Sequence, residues 1–366
     1  MKIISKFVLI TLVAAALFTN VSCSSQKQEE TQQAKNIILL IGDGMGLQQM
    51  HAAWNINGGT LPIKRVTHVG LQTTHSANKY ITDSAASGTA IACGEKTNNG
   101  TIGLDTAQRE LESILKVAER NGMATGLVST SAITHATPAS FIANEVSRND
   151  YEAIAADFLA TDIDVFIGGG LDHFNKRKDG RDLTKDLEAN GYTVLSGPEA
   201  FTSHTSGKLA AFTAPGHNPR YLDDRREMLP LATAKALDLL DEDENGFFIM
   251  IEGSQIDWGG HANDEEYVLT ETMDFFNAVE VALEFAEKDG ETLVVVTADH
   301  ETGGLIVLNG DPESKTIETT FTTGGHTGIM IPVYATGPGA ELFTGIYDNT
   351  DFKGKFMSAL GIPGSE

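Results

Sequence analysis

Six runs of consecutive apolar, often β-branched residues constrain the fold more than anything else in the chain: Asn36–Ile41, Ala124–Ser129, Asp164–Ile167, Phe247–Ile251, Thr292–Thr297 and Pro332–Ala335. They lack the polar alternation of a strand with one wet face. Each therefore reads as a strand buried on both sides, as in a parallel sheet covered by helices. Helical patterns lie between them, at Ser84–Ala92, Leu111–Asn121, Pro138–Val146, Tyr151–Leu159, Arg225–Leu240 and Glu265–Glu287. The expectation is an α/β domain with a central, mostly parallel sheet flanked by helices on both faces. Ligands of such sheets collect beyond the carboxyl ends of the strands. Asp43, Glu252 and the Asp299-His300 pair each lie one to three residues past an apolar run, so three strands deliver acids to one edge. The stretch Asp172–Tyr221, richer in Gly, Asn, Lys and Arg, reads as surface elaboration.

The N-terminus reads as a targeting segment. Lys2 and Lys6 precede an apolar run from Phe7 to Phe18 that is short for a membrane span. Asn20-Val21-Ser22-Cys23 follows, then a polar linker. The expected organisation is a signal peptide over 1–22, a linker over 23–35 and one catalytic domain over 36–366. The product is exported, either as a lipoprotein anchored at Cys23 or as a soluble periplasmic protein. Losing residues 1–22, which hold two lysines and no acids, moves the formal charge from −24 to −26. So acidic a surface argues against nucleic acid or anionic lipid as partners. Only Cys23 and Cys93 are present, and with Cys23 committed to the N-terminus no internal disulfide is expected.

Six short motifs carry the chemistry: IGDGMG (41–46), TDSAASGTA (82–90), THATPASF (134–141), EGSQIDWGGHAND (252–264), TADHETGG (297–304) and TTGGHTG (322–328). Together they supply enough carboxylate, hydroxyl and imidazole to hold several metal ions around one hydroxyl nucleophile, as in a metal-dependent hydrolase. Asp257 and His261, four apart, can aim at one ion from a single helical turn. Gly259 and Gly260 argue instead for an irregular loop leading into the helix near Asp264, and a capping Asp with a surface His would explain the pair equally well. His326 is flanked by glycines that permit close backbone approach, although a lone His is more often structural. Asp43 sits in a Gly-rich turn without the dinucleotide-binding spacing, and could simply cap a helix. Ser84 opens a helix of small residues, a seat that suits a phosphate or a plain N-cap. Thr137 precedes Pro138, a typical helix start, and Arg148 near that helix's far end could grip two phosphate oxygens or form a surface salt bridge.

Taken together and in this order, the motifs resemble the alkaline phosphatase family from about Asn36 to Ala335; the blocks D-S-A-A-S, E-G-x-x-I-D-x-x-x-H, T-A-D-H-E-T-G-G and G-G-H-T-G carry the likeness. The resemblance implies a phosphate monoesterase with Ser84 as nucleophile, forming a phosphoserine, and Arg148 as phosphate clamp. It implies one zinc on Asp257, His261 and His326, a second on Asp43, Asp299 and His300, and a magnesium held by Asp43, Thr137 and Glu252. Two cations so placed would stabilise the entering and leaving oxygens of an in-line displacement. His135 and Trp258 stand where the best-known bacterial pattern has Asp and Lys, which implies weaker phosphate retention and an altered third metal site. The stretch between His300 and His326 is short, which puts the family's usual homodimer in doubt.

Other readings remain. A sulfatase needs a modifiable Cys or Ser in a C/S-x-P/A-x-R context, which neither Cys93 nor Ser84 has. A diesterase of the same superfamily more often uses Thr. A non-catalytic phosphate- or metal-binding lipoprotein would ordinarily have lost a ligand or the nucleophile, and every expected position is filled. His51, His68, His75, His173, His204 and His217 read as ordinary histidines.

Overall fold

The computed structural model describes residues 33–363; the signal-like run, Cys23 and most of the linker lie outside them. The strands are β1 (Asn36–Gly42), β2 (His68–Thr73), β3 (Ala124–Ala132), β4 (Val165–Gly169), β5 (Thr193–Ser196), β6 (Leu209–Phe212), β7 (Phe247–Gly253), β8 (Thr292–Thr297), β9 (Glu301–Thr302), β10 (Leu305–Asp311), β11 (Thr316–Phe321), β12 (His326–Thr327), β13 (Ile331–Thr336) and β14 (Gly345–Asp348). The helices are α1 (Leu47–Ile56), α2 (Ser84–Cys93), α3 (Ile114–Arg120), α4 (Ala136–Ala139), α5 (Tyr151–Asp157), α6 (Leu171–Asn175), α7 (Leu183–Ala189), α8 (Met228–Leu240), α9 (Gln255–Ala262), α10 (Glu265–Asp289) and α11 (Asp351–Ala359).

Ten strands form one sheet in the order β14-β2-β13-β8-β1-β7-β3-β4-β6-β5. All run parallel except β13, which pairs antiparallel with β2 and β8. The expected architecture is present. Along β1, Ile37, Leu39 and Ile41 enter one core while Ile38 and Leu40 enter the other. This is why the run shows no polar alternation: helices cover both sides. Among the described residues no helix is long and apolar enough to cross a membrane.

Register places the site. Ile41 lies opposite Glu252 of β7 and Thr297 of β8, and Ser129 of β3 also lies opposite Glu252. Strands β8, β1 and β7 therefore end at one level, β3 runs on beside them to Ala132, and the residues just beyond share one rim.

Four expectations are corrected. Pro138–Val146 is not a helix; only the turn Ala136–Ala139 is helical. The following residues find tertiary partners instead. Ile102 and Glu145 exchange backbone hydrogen bonds, and the Asn144 amide donates to the carbonyls of Gly103 and Leu111. Arg148 thus stands on a non-helical segment, its N–H donating to Gly100 O at 2.7 Å. The Asp257–His261 segment is helix α9, not a loop. Its glycines serve packing: a Cβ at Gly259 would lie 2.8 Å from Val268 N, and one at Gly260 would lie 2.7 Å from Thr302 O. The stretch Asp172–Tyr221 is not decoration either, since it supplies α6, α7 and the sheet strands β5 and β6. Phe212 of β6 packs with Phe166 and Phe174 at ring distances of 5.8 and 4.7 Å.

If β6 belongs to the core, Phe212→Ala should destabilise the protein by about 3–5 kcal/mol in denaturant unfolding. A loss below about 1 kcal/mol would mark the segment as peripheral after all.

Candidate active site

At the rim, two groups of acids and imidazoles converge, and a third lies beside them. In the first, His261 Nδ1 donates to Gly324 O at 2.7 Å and His326 Nδ1 donates to Thr82 O at 2.8 Å. Each carbonyl fixes the ring's tautomer, leaving Nε2 with its lone pair inward. The two Nε2 atoms lie 3.1 Å apart, and each is 3.4 Å from an Asp257 carboxylate oxygen. Two acceptor nitrogens facing each other across a carboxylate repel unless a proton or a cation sits between them. Burial would raise the Asp257 pKa, but the His326 hydrogen bond and the imidazoles around the carboxylate hold it well below the ordinary range.

The second group is Asp43, Asp299 and His300, all fully buried. His300 Nε2 lies 3.2 Å from Asp299 and 3.5 Å from Asp43. One Asp299 oxygen accepts the backbone N–H of Gly44 at 3.1 Å and of His300 at 2.9 Å. Its other oxygen has no hydrogen-bond partner, and neither has Oδ1 of Asp43. Burial, then the nearby Asp257 charge, pushes the Asp299 carboxyl up to about 7. Asp43 is raised well above its usual value by burial and by its acidic neighbours. Burial drives the His300 pKa well down, so that ring is neutral.

The third group is Asp43, His135 and Glu252. One Glu252 oxygen accepts the hydroxyls of Ser129 and Ser254 at 2.7 and 2.6 Å, while the other has no partner. Thr137 Oγ1 lies 3.5 Å from Asp43. His135 is buried, with Nδ1 unpartnered and Nε2 3.2 Å from Arg148.

Four buried polar atoms at one spot, on Asp43, Asp299, Glu252 and His135, thus lack partners. Buried unsatisfied groups are costly and rare. Their chemistry, oxygen and imidazole nitrogen, suits divalent cations.

Ser84 is the first residue of α2, and its Oγ lies 3.3 Å from His300 Nε2. Asp83 caps the helix by accepting Ala86 N–H at 3.0 Å. The same carboxylate takes Arg148 at 3.1 Å, so the cap aims the guanidinium across the helix's positive end. Small residues let α2 sink against the sheet: Ser87 donates to Asp299 O at 2.7 Å, and a Cβ at Gly88 would meet the Ser140 hydroxyl at 2.8 Å. Cys93 ends the helix, buried, with its thiol pushed up to about 12 by burial.

All ten predicted site residues therefore gather at this rim. Sequence reasoning missed several that support them: Asp83, Ser129, Ser254 and Thr302, the last donating to Asp257 and lying 3.2 Å from His300 Nδ1. Asp83, Ser254 and Thr302 stand within the motifs TDSAASGTA, EGSQIDWGGHAND and TADHETGG, whereas Ser129 lies outside all six.

A sheet of this topology with hydroxyl, guanidinium and candidate metal-ligating groups at its carboxyl rim suits a metal-dependent hydrolase. Comparison with known proteins narrows the class. The family profile described as "Alkaline phosphatase" matches residues 34–315. Alkaline phosphatase 4 of Bacillus subtilis is 33% identical, covering 93% of this chain and 92% of its own. The Escherichia coli alkaline phosphatase is also 33% identical, covering 90% and 86%. The structure of the alkaline phosphatase from the Antarctic bacterium TAB5 is 42% identical and superposes with a TM-score of 0.86, covering 91% of this chain and all of that one. The chain belongs to the alkaline phosphatase family and is a phosphoric monoester hydrolase.

Proton traffic tests the geometry. Asp299, with its carboxyl near 7, and Asp43, raised well above its usual value, are largely protonated at mildly acid pH, and His326 is raised too, its hydrogen bond to Asp257 outweighing burial. Cations must displace these protons, whereas neutral His300 has none to give. Loading zinc at about pH 6 should release at least about one proton per chain, fading towards pH 9, read by calorimetry in buffers of different ionisation heat. Release that does not depend on pH would contradict the assignment.

Proposed function

We propose that the chain hydrolyses phosphate monoesters in two in-line displacements through Ser84, at a site built for two zinc ions and one magnesium ion. The observation that carries this reading is the set of partnerless buried atoms beside the Ser84 hydroxyl. Asp257, His261 and His326 would hold one zinc; Asp43, Asp299 and His300 would hold the other; Asp43, Thr137 and Glu252, beside His135, would hold the magnesium. When bound, the ions supply charge to the entering and leaving oxygens and favour deprotonation of the hydroxyl and of water.

The chain's own residues do the rest. Ser84 Oγ attacks phosphorus, the alcohol leaves, and the phosphoryl group rests on Ser84; water then displaces the serine and frees inorganic phosphate. Arg148, steered by Asp83, grips two non-bridging oxygens with its fork. The N-terminus of α2 points its free N–H groups at the same anion. Phosphoryl transfer asks for little beyond such positioning and charge.

The third ion depends on His135, which offers nitrogen where magnesium prefers oxygen. Two variants of the TAB5 enzyme, with a His replaced by Asp or by Glu, are described with magnesium bound in the site called M3. By the same chemistry His135→Asp in this chain should tighten magnesium binding by about tenfold or more, measured by titration into zinc-loaded protein. Unchanged affinity would remove His135 from the third site.

Export through the N-terminal segment and anchoring at Cys23 complete the proposal, with small phosphate monoesters as substrates. Turnover of a chromogenic phosphate monoester at alkaline pH should vanish on chelation and return with zinc and magnesium. Ser84→Ala should lower kcat on the order of a thousandfold or more. Full zinc occupancy without monoester turnover would reject the reading and direct attention to diesters.

A further inference from the structure

His217, on the segment between β6 and α8, is exposed, but its ring packs against His135 of the third group of the site. Its ring, with those of His135 and Trp258, forms a closed trio. Centroids are 5.5 Å apart for His135–His217, 6.0 Å for His135–Trp258 and 5.0 Å for His217–Trp258, and every pair is close to perpendicular. Edge-to-face contacts of this kind have a directional preference that a methyl cluster lacks. A fourth ring, Tyr151, meets His217 edge-on at 6.2 Å and stacks on His173 at 4.7 Å. His217 is the hub that touches the His135, Trp258 and Tyr151 rings.

The hub is anchored. Ala132, the last residue of β3, donates its backbone N–H to His217 Nδ1 at 3.0 Å. That bond uses the Nδ1 lone pair, leaves the ring proton on Nε2 and fixes the ring plane against the end of the strand. The neighbouring backbone is tied down as well. The buried Gln255 amide donates to Thr130 O at 2.9 Å and to Asn218 O at 3.0 Å, and Tyr267 holds its oxygen at 2.7 Å. His135 has no such tether of its own. It makes one side-chain contact within hydrogen-bonding distance, Nε2 to Arg148 at 3.2 Å, and its Nδ1 has none. What keeps its imidazole in place is the packing of the two rings against it.

We infer that His217 is a positioning residue: fastened to the end of β3, it holds the His135 ring, and through it the Arg148 guanidinium, and so sets how tightly the site grips phosphate. This rests on the proposed phosphatase reading and adds to it a residue that touches neither the substrate nor an ion. The linkage runs His217 to His135 to Arg148, so its signature is dependence on His135.

A double-mutant cycle tests it, with inorganic phosphate binding to zinc-loaded protein measured by calorimetry. His217→Ala should weaken phosphate binding by about tenfold, but by less than about twofold in a His135→Ala background. Both variants should keep two zinc ions per chain and remain fully folded at the assay temperature, since the His217 side chain is exposed. An equal loss in both backgrounds would show that His217 acts by another route, and no loss in either would show that it is packing alone; each result overturns the inference. Monoester turnover by the unaltered enzyme is a separate readout, so failure of the cycle with turnover intact rejects this inference and leaves the phosphatase reading standing.

Discussion

The structure depends on negative charge that the protein does not itself neutralise. Asp43, Glu252, Asp257 and Asp299 stand together at the ends of three adjacent strands and the helix after them, buried, with four imidazoles interposed and no lysine among them. Among the described residues Arg148 is the one guanidinium at the rim, and it is shared with Asp83 and His135. Nothing in a hydrophobic sheet requires this arrangement, and burial penalises it severely. It becomes favourable only when cations occupy the gaps, at which point the same fields that raise the carboxyls become the binding energy. The strand register, the cap at Asp83 and the carbonyls of Thr82 and Gly324 can all be understood as holding donors open for that charge.

Much of this was legible in the sequence because the central strands are buried on both faces. For β1, β3, β7 and β8 burial removes alternation, so the runs stand out and their ends locate the acids. The outer strands were illegible for the opposite reason. Along β2 and β5 exposure is partial, the runs are four to six residues long, and nothing in composition separates them from loop. Helix α9 was misread because its two glycines looked like breakers, when they are the price of packing α9 against Val268 and Thr302. The segment after Pro138 failed as a helix because distant partners, Ile102 and Gly103, outcompete the local ladder.

The site shows the same division. Residues whose side chains can take an ion or a phosphate carry their chemistry in their identity, so the Asp, His, Ser and Arg of the site could be named in advance. Residues that act by holding others carry no such mark. Ser129 and Ser254 are ordinary serines until Glu252 is seen between them. His217, set aside as an ordinary histidine, gains meaning only from the rings packed on it. The departures at His135 and Trp258 belong to this packed cluster as well, so a change of charge in the pattern appears in three dimensions as a change of packing.

The central claim is that the partnerless donors are metal ligands placed around Ser84. Anomalous diffraction at the zinc edge from zinc-loaded crystals addresses it most directly. The account predicts two peaks, one among Asp257, His261 and His326 and one among Asp43, Asp299 and His300, with Ser84 facing the second. A single peak, or zinc lodged elsewhere while these donors stay hydrogen-bonded to one another, would contradict it.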